Sequence, residues 1–159
     1  MIDLKKLYTE DFSKWATLNA EILRCRNFAA LDIEHILEEF SDIGTSERNE
    51  LESRLTVLLA HLLKWQYQYP LLSERWKEFK RDSWRSTLIE QRNRIKKRLK
   101  QSPGLHSKIE VILLEAYQDA TELASKETGF HKERFPAACP YTWTEIVDDD
   151  FFPKHSVDI

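Results

Sequence analysis

Apolar residues recur along this chain at helical rather than strand spacing, and the stretches between the runs are short. Phe12, Trp15, Leu18, Ile22 and Leu23 share one broad face of a helix predicted over residues 10–24, with Thr9 as its N-cap. Asp32 is placed to cap a second, short helix that carries Ile33, Ile36, Leu37 and Phe40. Gly44 is expected to end it, because glycine enters the left-handed region without a side-chain clash. Thr45 or Ser46 then caps a third helix, in which Leu51, Leu55, Leu58, Leu59, Leu62 and Trp65 recur at close to 3.6 residues up to YQYP at 67–70.

Ser73 opens a fourth, longer helix whose apolar stripe is narrow: Trp76, Phe79, Trp84, Leu88, Ile95 and Leu99, separated mostly by charged and amide side chains. The SPG segment at 102–104 stops it. A fifth helix begins near Leu105, continues through Ile109, Ile112, Ala116 and Ala120 to Ala124, and has Gly129 as its expected cap. TWTE at 142–145 fits a reciprocal capping box ahead of a short helix, with Phe135, Tyr141 and Trp143 available to pack back onto the core. Sustained alternation, internal repeats and long linkers are all missing from the pattern. The expectation is an all-α fold: a compact helical bundle of about five main helices with a short C-terminal helical turn. It forms a single domain over residues 1–159, with its helical core at about 9–148 and a C-terminal tail at 149–159.

Composition sharpens this. Three glycines and five prolines in 159 residues are too few for a turn-rich sandwich or barrel. The net charge of −3 removes a global basic field, but it conceals an uneven distribution. Residues 1–72 have eight Lys or Arg against twelve Asp or Glu, residues 73–100 have eleven against four, and residues 101–159 have five against eleven. One predicted helix thus carries the basic charge between acidic partners. That charge is either matched across neighbouring helix faces or shown to water, or else Arg92, Arg94, Lys96, Lys97, Arg98 and Lys100 form an exposed surface for phosphate, RNA, an acidic protein or anionic lipid. Trp84 beside Arg85 suits base stacking on such a surface, and equally suits a helical core.

No glycine-rich phosphate loop, HExxH, CxxC, GxSxG or HRD run occurs, so the familiar enzyme signatures are missing and no cofactor is implied. A site between helices is the remaining catalytic option. Its candidates are Glu52 and His61 on the third helix with Glu115 and Asp119, four residues apart, on the fifth, as a metal or acid–base set. His61 stands inside an apolar run, where a charged imidazolium is costly, so a packed neutral histidine is the competing reading. Arg54, Lys64 and Trp65, with Tyr117 and Asp119 supplying a hydroxyl and a carboxylate, are candidates for a small-anion or interface pocket. Cys25 and Cys139 are too few for a disulfide scaffold and read as reduced thiols. The N-terminal segment lacks the pattern of a secretory signal, and the most apolar run, residues 55–65, is far short of the roughly 20 residues that cross a bilayer. A cytoplasmic protein with no membrane span is expected.

Several ordered landmarks, LYTEDFSKW, ALDIEHILEEFSDIG, SERNELESRLTVLLAHLLKWQYQ, DSWRSTLIEQR, AYQDATELASKETG and FPAACPYT, closely resemble the domain of unknown function 29 family, which is common in cyanobacteria. The likeness covers residues 8–153. It implies a nearly all-helical fold and attaches no activity. Asp11, Trp15, Gly44, Arg54, His61, Lys64, Trp65, Trp84, Arg85 and Pro140 stand at matching positions without an assigned role. The leading expectation for function is a noncatalytic helical protein-interaction domain, whose partner is another protein or a second copy in a homodimer. The alternatives are a small metal- or anion-assisted enzyme and weak RNA or anionic-surface binding through the basic fourth helix.

Overall fold

Local capping chemistry decides where the helices begin. In the computed structural model, which describes residues 1–156, Asp3 caps α1 (Leu4–Glu10) by accepting from the Lys6 N–H at 3.3 Å. Asp11 leaves helical geometry at φ −151°, and its carboxylate accepts from the Lys14 N–H at 3.0 Å to start α2 (Phe12–Arg24). The expected Thr9 cap is therefore corrected: Thr9 lies inside α1, its hydroxyl donating to the Lys6 carbonyl, and an acid two residues later does the capping. α2 closes with Arg26 in the left-handed region at φ +60°, its N–H bonded to the Leu23 carbonyl and the Asn27 N–H to that of Ile22. This is a Schellman closure with arginine where glycine is usual.

The expected second and third helices are one. α3 runs 35 residues, Ile33–Tyr67, through Gly44, Thr45 and Ser46. Gly44 keeps helical dihedrals; the single glycine at positive φ among the described residues is Gly129. A glycine inside a helix costs about 1 kcal/mol relative to alanine, less than breaking the run and nucleating a new helix. α4 (Glu74–Gln101) follows Ser73, and a 3-10 turn at Pro103–Lys108 delays α5 to Ile109–Thr128. Gly129, at φ +76°, closes α5 with its N–H on the Ser125 carbonyl, as expected. α6 (Trp143–Val147) begins with both bonds of the Thr142–Glu145 capping box in place. The fold is all-α, with five helices of seven or more residues and this short sixth among the described residues. None of these helices is long and apolar enough to cross a membrane. The last three residues of the expected tail, 157–159, lie outside the described residues.

Two compact units divide the chain. In Met1–Ser46, only Trp15, Asn19 and Asp32 are buried, so two of the three interior residues are polar. The unit beginning at Glu47 has a conventional core. Leu51, Leu55, Leu58 and Leu62 of α3 meet Leu88 and Ile95 of α4, Ile112 and Ala116 of α5, and Ile146 of α6.

Candidate functional site

Within the second unit, α3 sets His61 one turn after Val57, whose carbonyl oxygen lies 2.8 Å from the His61 Nδ1. A carbonyl only accepts, so Nδ1 holds the ring proton and Nε2 carries the lone pair. Burial, helped by the neighbouring Lys64 charge, pushes the imidazole below its ordinary value, so it is neutral at pH 7. Lys64 is buried, pairs with Glu127 of α5 and lies 5.5 Å from the centre of the Trp84 ring. The resulting group holds one matched ion pair and one neutral base. An unfolded chain protonates this histidine near pH 6.5 and the folded one only below that, so stability falls as pH drops below about 6.5. His61→Gln is expected to flatten that slope, read as the urea midpoint between pH 7.5 and 5; an unchanged slope would contradict the neutral assignment.

The charges acting on His61 are those of Lys64 and Glu127. Glu115 and Asp119 act instead on Glu52, whose carboxyl is pushed up first by burial and then by these two acids. The charges felt by His61 and by Glu52 thus come from different residues. Arg48 donates to Glu115 at 3.4 and 3.5 Å. Among the described residues, no three His, Cys, Asp or Glu side chains are grouped so as to hold a metal ion. Because the Glu52 repulsion disappears on protonation, it weakens the fold increasingly as pH rises through that raised value. Glu52→Gln is expected to gain about 0.5 kcal/mol at pH 7 and nothing at pH 3, measured by denaturant titration.

Arg54, Trp65 and Tyr117 of the proposed anion pocket each have partners of their own. Arg54 is 3.9 Å from Glu50, one turn back on α3. Trp65 stacks on Tyr69 at 4.6 Å, with Phe152 and His155 of the C-terminal segment at 5.2 and 5.6 Å. Tyr117 donates its hydroxyl to the Pro136 carbonyl at 2.5 Å, and burial pushes the phenol up. Trp84 is buried, so its ring packs rather than offering a stacking face, while Arg85 beside it is exposed.

The basic helix is largely spoken for. Arg92, a member of the exposed-surface alternative for residues 92–100, is fully buried, which removes it from that surface. Its Nε donates to the Ile146 carbonyl at 2.9 Å and its Nη2 to those of Phe151 and Glu145 at 2.9 and 3.4 Å. Arg98 grips Glu47 through Nη1 at 2.7 and 2.8 Å and Glu50 through Nη2 at 2.5 Å. Lys96 pairs with Asp149 and Arg94 with Glu90. Lys97 and Lys100 remain exposed and without an ion pair among the described residues. Two members of the positive block, Lys96 and Arg98, are thus matched by acids on neighbouring segments, and Arg94 by an acid of α4 itself.

In the first unit, Asp32 organises a polar interior. Its Oδ2 accepts from the Trp15 indole at 2.9 Å and meets the His35 Nδ1 at 2.6 Å, while its backbone N–H donates to Asn19 Oδ1 at 3.0 Å. Tyr8 stacks on His35 at 4.0 Å and donates to Glu39 at 2.5 Å. Burial raises the Asp32 carboxyl, but its bonds to Trp15 and His35 outweigh this and hold it below the usual range. This network was missed in the sequence, although Asp32 and His35 share a helix face at i,i+3. On α3, Ile33, Leu37, Phe40 and Ile43 are left exposed, Phe40 at 68%. In the second unit, Trp76 and Phe79 at the start of α4 are likewise exposed, at 55% and 66%.

A family model described as a domain of unknown function, DUF29, matches residues 7–152. The chain belongs to this family. The DUF29 match spans α2 to α6 in full and part of α1, so it includes the Asp32 network, the Arg92 contacts and both exposed apolar patches. No curated protein and no solved structure matches the chain. DUF29 membership assigns no activity to these residues.

Proposed function

We propose that this chain is a noncatalytic protein-interaction domain that works in the cytoplasm. The observation that supports this reading is the bare apolar stripe of Ile33, Leu37, Phe40 and Ile43 on α3. A unit of about 46 residues is near the lower limit for burying a sufficient core, and this one turns its larger aliphatic and aromatic side chains outward. Contiguous exposed apolar surface of this kind marks sites that a partner covers. The matched charges on α4 favour a protein partner over nucleic acid, since most of the cations already have acceptors. Two free cysteines, one of them exposed, suit a reducing compartment.

A photocrosslinking residue at position 40 tests this in cells. Discrete adducts above the monomer mass are expected from position 40 and not from position 126, an exposed lysine on α5. Equal labelling from both positions would overturn the reading.

A further inference from the structure

We infer that the first turns of α4 hold this chain against an anionic bilayer surface, lying among the headgroups rather than crossing them; this goes beyond the interaction reading above and does not depend on it. None of residues 74–83 is buried, so these turns stand clear of the core that fixes the rest of the helix. Trp76 and Phe79 are the large apolar residues here, and both are more than half exposed. At about 100° per residue, the order around this part of the helix is Arg75, Phe79, Trp76, Lys80, with each cation about 40° outside the aromatic pair. Ser83 falls between the two rings, one turn on. The acids Glu74, Glu78 and Asp82 fall outside this arc, and Glu74 and Asp82 stand beside cations of their own, Lys77 and Arg81. Arg75 and Lys80 have no ion-pair partner among the described residues. The aromatic centre is thus bordered on both sides by unmatched positive charge.

Area and ring geometry choose the occupant. The exposed parts of the two rings amount to roughly 200 to 300 Å². That is well short of the roughly 800 Å² per partner of a stable protein interface. A bilayer sets no such threshold: its headgroup region takes in single aromatic side chains, and each lysine or arginine near anionic lipid adds about fivefold in affinity. Tryptophan is enriched at this boundary because its ring is apolar and its N–H can still reach water. Arg75 and Lys80 have stems long enough to leave their charges at the phosphates while the rings enter. Base stacking, by contrast, needs an open ring face. Trp76 and Phe79 stand edge to face at 6.2 Å, and Lys80 lies 5.9 Å from the Phe79 ring centre, so this pair offers a poor platform for successive bases. No helix among the described residues is long and apolar enough to span a membrane, and a contact lying in the headgroups requires none.

The test sediments the full chain with vesicles of phosphatidylglycerol and phosphatidylcholine in equal parts, and with phosphatidylcholine alone. Binding to the mixed vesicles is expected at low salt, at least about tenfold weaker on phosphatidylcholine alone, and reduced at about 0.5 M salt. Arg75→Gln with Lys80→Gln is expected to weaken it about twenty-five-fold, and Phe79→Ser at least about fivefold. Each variant is checked for unchanged helicity, which is expected because none of these positions is buried. Trp76→Phe is expected to keep most of the binding while removing the quenching of tryptophan emission by lipids brominated high on the acyl chain, a readout that only a ring at the bilayer surface gives. No binding to the mixed vesicles at low salt, binding that survives either Phe79→Ser or the double substitution, or quenching that persists in Trp76→Phe would overturn the proposal. A 20-nucleotide oligouridine bound more tightly than the vesicles and released by the same substitutions would assign the patch to nucleic acid and overturn it too. Crosslinking from position 40 reads a different surface, so this attachment and the interaction reading fail separately.

Discussion

Replacing Arg92 by alanine is expected to destabilise the fold by about 3 to 5 kcal/mol, the cost of removing one side of a buried charge-assisted network. The guanidinium is fully buried and supplies hydrogen bonds to the carbonyls of Glu145, Ile146 and Phe151, which belong to α6 and the segment after it. Without it, these acceptors lose their donor in an interior that water does not readily reach, and each such loss costs about 1 to 3 kcal/mol. Burial draws the Arg92 proton affinity down, while Asp149, Asp148 and Asp150 restore part of it. Arg92→Lys keeps a charge but not the planar fork, so it is expected to recover less than half of the loss. Urea denaturation gives the stability, and amide exchange over residues 143–156 gives the location. A variant within 1 kcal/mol of the parent, or one whose exchange rises elsewhere first, would show that Arg92 does not hold this segment.

Leu58→Ala is expected to cost about 3 to 5 kcal/mol by lost burial and by the cavity left behind. Leu58 is fully buried on α3, among the leucines that face α4 and α5. Leu58→Met, close in volume, is expected to stay within about 1.5 kcal/mol. Leu37→Ala on the same helix makes the comparison informative, because Leu37 is 59% exposed. Measured at a concentration where the chain is monomeric, it is expected to change stability by no more than about 0.5 kcal/mol. Similar costs at positions 58 and 37 would mean that the stripe is covered within the single chain, and would remove the basis for an interface there.

These expectations mark the boundary of what the sequence made legible. Period and capping are local, and they identified the all-α class, the leucine face of α3, the Gly129 cap and the Thr142–Glu145 box. Gly44 misled because glycine is compatible with both a helix interior and a left-handed stop, and the choice depends on the free energy of the whole run. The α1–α2 break was hidden for a related reason. Thr9, Glu10 and Asp11 offer adjacent capping candidates, and the Asp11 dihedrals that select one are not encoded in spacing. Residue pairings between segments were less accessible still. The −4, +7, −6 charge blocks suggested matching, yet that Arg98 takes Glu47 and Glu50 while Arg92 takes backbone carbonyls depends on where α4 meets its neighbours. For the candidate set of Glu52, His61, Glu115 and Asp119, spacing along each helix is silent on which charges meet between helices. Glu115 and Asp119 act on Glu52, whereas Lys64 and Glu127 act on His61.

Gly44 has a consequence for when α3 opens. An added Cβ there would meet no atom within 4 Å, and residues 41–46 are all exposed, so tertiary packing does little to hold this turn. Ser41, Asp42, Thr45 and Ser46 around it are all modest helix formers. The helix is therefore weakest some ten residues in from its start, and its amides near position 44 are released by local openings well below the free energy of global unfolding. In hydrogen exchange this turn acts as a fuse within a continuous rod, and Gly44→Ala, by about 1 kcal/mol of intrinsic propensity, would slow its opening roughly fivefold.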